Sequence, residues 1–240
     1  MKKLPIVLVH GAWGGAWVWR RVLAPLRDAG HEVHAVTLTG DGERAHLRTP
    51  AITLRTHIDD VLGLVRAEEL HDIVLVGHSY GGLVVTGAAD ALLAEDPARL
   101  RALVYVDAVV PCSGEDWSSK HPPEVRAQRE AQAAQHGHAL PPPDPEVFGL
   151  AGADRDWLQR RHVPHPFGVY HDPLHFDEAR WARVPRTFID CPSPALATID
   201  AFRRRVREQP GWQLREIATG HFPMVSTPQA LVELLLEAAR

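Results

Sequence analysis

Gly77-His78-Ser79-Tyr80-Gly81 lies where a β-branched run, residues 73–76, gives way to a helical pattern that starts at Gly81. A serine hydroxyl is a weak nucleophile, so it must be open to a base and to substrate while its backbone is held rigid. A sharp strand-to-helix turn does both, and glycines at 77 and 81 omit the Cβ atoms that would hold strand and helix apart. The alternative reading of Ser79 is a hydroxyl that only caps the helix. Attack on a carbonyl leaves a negative oxygen that needs preorganised donors. The backbone N–H of Tyr80, at the helix start, is one. The loop after the first strand, His10-Gly11-Ala12-Trp13-Gly14-Gly15-Ala16-Trp17, supplies the other, assigned to Ala12. His10 is read as holding this loop by hydrogen bonding rather than moving protons. Trp13, Trp17 and Trp19 are read as core or pocket wall.

These residues need a frame that brings strand ends together. Short β-branched runs alternate with longer helical patterns, the mark of parallel strands joined by right-handed crossovers. Strands are predicted at 6–10, 32–37, 73–76, 102–107, 186–190 and 213–217, and helices at 16–29, 54–69 and 81–94. Pro25 should kink or break the first helix. A last helix starts at Thr227-Pro228, with Thr227 as N-cap and Pro228 at the first helical position. The alternation fails between residues 110 and 185. Thirteen of the 20 prolines fall between 111 and 194, Pro141-Pro142-Pro143 among them, and that density prevents long helices. Trp117, Trp157, Phe167, Tyr170, Phe176 and Trp181 are too apolar for a solvated linker, so this stretch is expected to pack as a cap over one end of the sheet. The alternative is a floppy excursion with one amphipathic helix near 124–135. Residues 1–240 read as one α/β domain with an insertion at about 111–184.

With 45% hydrophobic and 23% charged residues the chain can bury a sizeable core. A net charge of -4 gives no field to gather phosphates, so nucleic acid is not an expected partner. The apolar run at the start is short, is interrupted by Pro5 and lacks a cleavage site, so it is not read as a signal peptide. No stretch approaches the ~20 apolar residues needed to span a bilayer. No membrane partner and a cytoplasmic location are expected. Cys112 and Cys191 are read as two structural thiols. His162-x-x-His165 and His171-Asp172-x-x-His175 have metal-like spacing, but Pro164, Pro166 and Pro173 break the helix that would make them converge, and no metal is expected. The loop from Gly11 to Gly15 lacks the dinucleotide glycine pattern and carries Trp13 where a pyrophosphate would approach. No cofactor is expected.

His10-Gly11-Ala12-Trp13 with Ala16-Trp17-Val18-Trp19, Thr37-Leu38-Thr39-Gly40 with Gly42-Glu43-Arg44, Gly77-His78-Ser79-Tyr80-Gly81-Gly82, and Gly220-His221 with Met224 together resemble the α/β-hydrolase superfamily. Within it, the chain looks like the branch of plant methylesterases, hydroxynitrile lyases and bacterial esterase-like proteins. The resemblance covers both ends of the chain, and residues 113–184 match by position only. It implies the α/β-hydrolase fold: a mostly parallel six-stranded sheet with helices on both faces and a cap insertion. It also selects His221 among the 15 histidines as general base, because His221 follows the last strand and precedes the final helix. A histidine that only caps the loop is the alternative.

The acid is open. Many family members place an Asp in the loop after the penultimate strand, but here that loop, Cys191-Pro192-Ser193-Pro194-Ala195-Leu196, has no carboxylate. Asp107, at the end of the strand after the nucleophile helix, resembles the arrangement of some haloalkane dehalogenases and is preferred. Asp190, still inside its strand, is the runner-up; Asp200 lies further on in a helix. A dyad with no strong acid is the third reading.

The chemistry expected is acyl transfer from a small, apolar or aromatic carboxylic ester, with Trp13 and Phe222 in the substrate pocket and a small molecule as the partner. Three rivals stand beside it. Hydroxynitrile lyases of this branch resemble one another in carrying Lys directly after the catalytic His, where Phe222 stands here. A cyclase or aldol-type catalyst could use the same pocket. A hydrolase-like binding protein with little turnover would suit the missing acid. The oligomeric state is left open.

Overall fold

The computed structural model describes residues 3–240. Four short runs rich in aliphatic and β-branched residues form strands: Ile6–Val9 (β1), Val33–Val36 (β2), Ile73–His78 (β3) and Leu100–Val106 (β4). The two-residue strands Ala139–Leu140 (β5) and His165–Pro166 (β6) pair with each other away from the main sheet, which is completed by Arg186–Asp190 (β7) and Trp212–Glu216 (β8). The main sheet has the order β2-β1-β3-β4-β7-β8, and every neighbouring pair is parallel. A parallel sheet is covered on both faces by its crossovers, so its central strands need not alternate; every residue of β1 and β3 is buried. The edge strand β8, by contrast, has no fully buried residue.

The helices are Arg20–Asp28 (α1), Leu54–Ala67 (α2), Gly81–Glu95 (α3), Pro123–Gln135 (α4), Gly152–Gln159 (α5), Glu178–Trp181 (α6), Asp200–Glu208 (α7), Pro223–Ser226 (α8) and Pro228–Ala238 (α9). Beyond shifts of a few residues at element ends, two features of the helices depart from the sequence expectation. The break expected at Pro25 falls earlier: a tight 3-10 turn, Ala16–Trp19, passes into α1, and Pro25 lies inside α1. Its lost N–H bond is tolerated in a helix whose Val22 and Leu26 are buried in the core. Thr227 does not cap α9 with its side chain. It closes the preceding short turn α8 instead, its N–H and its hydroxyl both donating to the Pro223 carbonyl at 2.9 and 3.4 Å.

Between β4 and β7 the chain leaves the sheet to build α4, the β5–β6 pair, α5 and α6. This segment is packed rather than loose: Trp117, Leu158, Val169 and Tyr170 are buried in the same core as the sheet. Among the described residues no helix is long and apolar enough to cross a membrane.

Because all six strands run the same way, their carboxyl ends meet along one edge. There β3 and β4 are in register to their last residues, His78 opposite Val106. The first residues beyond them, Ser79 and Asp107, therefore emerge side by side.

Candidate active site

Ser79 sits at φ 54°, a left-handed conformation that a non-glycine residue adopts only when its surroundings impose it. They do so from several sides. The Ser79 N–H donates to Val106 O at 3.3 Å, and its carbonyl accepts from Gly82 and Val109, each at 3.0 Å. A Cβ on Gly77 would lie 2.6 Å from the Gly81 carbonyl oxygen, and one on Gly81 would lie 2.6 Å from that of His10. The glycines of the motif thus let strand, helix and first loop close on the serine, whose side chain stays half-buried rather than sealed.

His221 lies in the loop after β8, tied down by its backbone. Its N–H donates to Phe148 O at 3.1 Å, and its carbonyl accepts from His78 Nε2 at 2.7 Å. His78 is neutral here, since burial pulls its pKa well below the ordinary imidazole value. The His221 Nε2 is 2.9 Å from Ser79 Oγ, and Nδ1 is 2.7 Å from Asp107 Oδ2. A carboxylate on Nδ1 assigns the ring proton to that nitrogen and leaves Nε2 to accept the serine hydroxyl.

Asp107 is fully buried and, like Ser79, has a positive φ, 42°. Its N–H donates to Ile189 O of β7 at 2.8 Å, which turns the side chain off the strand end towards the imidazole. Its second oxygen accepts from Arg203 Nη2 at 2.6 Å. Arg203, on α7, is almost completely buried, and its pKa stands above the ordinary guanidinium value: burial alone would lower it, but Asp107, Asp190 and Asp200 outweigh burial. The same guanidinium takes up Asp190, whose Oδ1 accepts from Nε at 2.7 Å while Oδ2 accepts from Arg207. Asp190 is therefore turned to α7, and Asp200, 2.7 Å from Arg203 Nη1, faces the same cation.

The loop that follows β1 is pressed against the serine: a Cβ on Gly11 would come within 2.7 Å of Ser79 Cβ. His10 pins this loop, Nδ1–H donating to Gly11 O at 2.6 Å and Nε2 accepting from Leu38 N–H at 3.0 Å. Burial lowers its pKa, which keeps it neutral in this role. Among the described residues, the backbone N–H groups of Ala12 and Tyr80 have no protein acceptor. Both flank Ser79, one in sequence and one across the loop.

Trp13 is buried with φ 66°, donates from Nε1 to Leu140 O at 3.0 Å, and packs on Trp117 and Phe148. Phe222 is buried with its ring against His221, His78 and Phe148. It braces the imidazole.

A second layer was not visible in the sequence. The Tyr80 hydroxyl donates to His57 Nδ1 at 2.9 Å, and His57 Nε2–H donates to Thr39 O at 2.9 Å. His165, from β6, bonds Asp41 through Nδ1 at 2.8 Å and packs edge-on to Tyr80. Burial drives His57 down to about 4 and His165 to about 3, and drives Asp41 up to about 7. The histidines with metal-like spacing do not converge: His165 is on Asp41, and His171 bonds Ser118 and Glu130. Among the described residues the one group of three ligand atoms within 4.8 Å of one another is Glu32, His34 and Glu68, two of them exposed.

The sequence is matched over residues 6–234 by the model of a family described as "Alpha/beta hydrolase family". It is 41% identical to a "Carbendazim hydrolyzing esterase" of Nocardioides sp. (strain SG-4G) over 238 residues, 95% of this chain and 97% of that one. It is 30% identical to "Methylesterase 7" of Arabidopsis thaliana over 257 residues, 97% of this chain and 95% of that one. The fold is similar to that of an extracellular alpha/beta-hydrolase from a Paenibacillus species, with a TM-score of 0.83, 21% identity and 99% of each chain covered.

Proposed function

The chain belongs to the alpha/beta hydrolase family, and from that premise we propose that it is a serine esterase that turns over small, apolar or aromatic carboxylic esters through an acyl-enzyme on Ser79. It is an enzyme of ester hydrolysis, like the esterase and methylesterase it is similar to. The observation that carries the serine mechanism is the unbroken relay of Ser79 Oγ, His221 and Asp107, with contacts of 2.9 and 2.7 Å.

In the first half-reaction His221 Nε2 takes the hydroxyl proton as Ser79 Oγ attacks the ester carbonyl. The new oxyanion is held by the N–H groups of Ala12 and Tyr80, which have no protein partner to give up. Asp107 keeps Nδ1 protonated and stabilises the imidazolium. The imidazolium then protonates the departing alkoxide. In the second half-reaction water attacks the acyl-enzyme with His221 again as base, releasing the acid. Arg203 fixes the second oxygen of Asp107, so the carboxylate cannot rotate away. We take the segment at about 111–184 as a cap belonging to the same single domain, with Trp13 as pocket wall and Phe222 as support for the base.

The binding-protein reading loses its motive, since a carboxylate does stand on His221 Nδ1. The test is intact mass after treatment with a fluorophosphonate, together with turnover of short p-nitrophenyl esters. Ser79→Ala should take up no label and lose activity on the order of 10⁶-fold. Label retained on the variant overturns the nucleophile.

A further inference from the structure

Two arginines that the proposed mechanism does not use, Arg129 and Arg186, lie on aromatic rings with a nitrogen out of solvent and form no ion pair among the described residues. Of the two, Arg129 also lines a cleft. It projects from α4 onto three rings, its guanidinium carbon 4.9 Å from the Trp117 centroid, 5.4 Å from that of Tyr170 and 5.7 Å from that of Trp13. Its Nη1 is out of solvent and, among the described residues, has no protein acceptor. Among the same residues no carboxylate lies within ion-pair distance of it. Burial lowers its pKa, opposed only by the Tyr170 hydroxyl. Arg203 is the opposite case, a buried guanidinium answered by three carboxylates. Arg129 is half-buried, and a cation with one nitrogen shielded from water and no counter-charge is left partly uncompensated, since ring faces offset only part of the lost hydration.

Arg129 also lines a cleft of about 210 Å³ between α4 and the Pro141-Pro142-Pro143 run. Gln128 and Gln132 stand on the same wall, and Trp13 is part of the lining. Trp13 directly follows Ala12, so the cleft shares a wall with the loop pressed against Ser79.

We propose that this cleft receives a carboxylate carried by the substrate at the end remote from the scissile ester, and that Arg129 is the residue that selects it. The planar guanidinium presents paired donors that match two carboxylate oxygens, and the glutamine amides can add to them. Aromatic and proline walls suit a flat or aliphatic linker between the two ends. The substrates favoured are half-esters of dicarboxylic acids. Placing the scissile ester at Ser79 rests on the esterase reading above; binding of the carboxylate does not.

Two measurements test it separately. In the first, Ser79→Ala protein is titrated calorimetrically with terephthalate, adipate and suberate, and the same is done with Arg129→Met added. At least one dianion should bind, and the added change should weaken it by roughly tenfold to a hundredfold, the range for a hydrogen bond to a charged group. Equal binding by both proteins, or no binding of any of the three acids, overturns the site.

In the second, kcat/KM is compared between the monomethyl ester of each acid and its carboxamide-ended isostere. The native protein should prefer the charged ester by about tenfold or more at one linker length. Arg129→Met should bring that ratio to about one, and Arg129→Lys, which keeps the charge without the fork, should fall between. Each ratio is taken within one protein, so a loss of folded fraction cancels. A ratio near one in the native protein, or an unchanged ratio in Arg129→Met, overturns the selection. Binding lost with Arg129 while no ester is turned over supports the carboxylate site and counts against Ser79 as nucleophile.

Discussion

The carboxyl edge of the sheet and the segment packed above it are held together by different kinds of interaction. At the edge the backbone decides: Ser79 and Asp107 are both forced to positive φ, and their N–H groups are fixed by the carbonyls of Val106 and Ile189 on neighbouring strands. In the segment between β4 and β7 the short β5–β6 pair and a few backbone bonds are joined by a dense packing of aromatic and histidine side chains. Trp117 alone packs on Trp13, Tyr80, His121, His165 and Tyr170, and His165 reaches across to Asp41. A group anchored by backbone keeps its place when the side chains around it change. A wall of rings and histidines can vary with the substrate, and it answers to protons.

The largest effect that would break this contrast is at the edge. Asp107→Asn keeps the backbone but puts an amide on His221 Nδ1, and turnover should fall by up to about 10⁴-fold with substrate binding retained. Asp190→Asn, whose carboxylate faces Arg203 and Arg207, should cost less than about tenfold in turnover if it acts only through its neighbours. Steady-state kinetics on one p-nitrophenyl ester decide between them. A large loss at Asp190 with little at Asp107 would mean that the imidazole takes its partner from β7.

A change in the upper segment should act on stability first. Trp117→Ala empties the centre of the ring cluster and should lower unfolding free energy by about 3–5 kcal/mol. At low temperature, where the protein is still folded, Ser79 should keep its reactivity to fluorophosphonate. Loss of labelling in protein that is still folded would show that the edge depends on side chains above it as much as on its own backbone.

The two regions also differed in how far they could be read in advance. The turn around Ser79 is contiguous, and its glycines announce close approach. The six strands of the main sheet follow from short apolar runs, with β4 starting two residues earlier than predicted, at Leu100. Asp107 is within reach of the sequence because it ends the strand that follows the nucleophile helix, at the same edge as Ser79. Arg203 is not, being 96 residues from the carboxylate it holds; nor is the His165–Asp41 pair, 124 residues apart. Such contacts depend on how a proline-rich, aperiodic segment docks, and no local pattern sets that docking. The composition points to a packed segment but does not say which ring meets which.

The finest test of the contrast is a single histidine with nothing to lose. His162 is 8% exposed, and neither ring nitrogen has a protein partner among the described residues. Its ring lies 5.9 Å from those of Trp17 and Phe222 and 6.5 Å from that of Phe148. Burial, with a smaller push from His10, lowers its pKa to about 4. The unfolded chain takes up this proton near pH 6.5 and the folded chain does not. Stability from this group is therefore present above pH 6.5 and is lost as pH falls towards about 4. At pH 5 the deficit is about 2 kcal/mol, from roughly 1.4 kcal/mol for each pH unit. Asp41 has the opposite sign: its contribution is present at low pH and is lost as pH rises through about 7. Neither it nor His57 and His165 changes in the variant, so the difference between two proteins isolates His162. His162→Phe should be about 1 kcal/mol more stable than the native protein at pH 7.5, because an unpaired polar ring is replaced by an apolar one. At pH 5 the gap should widen by about 2 kcal/mol more. Urea unfolding at pH 7.5, 6 and 5 measures both, and stability curves that stay parallel across that range would show that the ring already shares its proton with a partner.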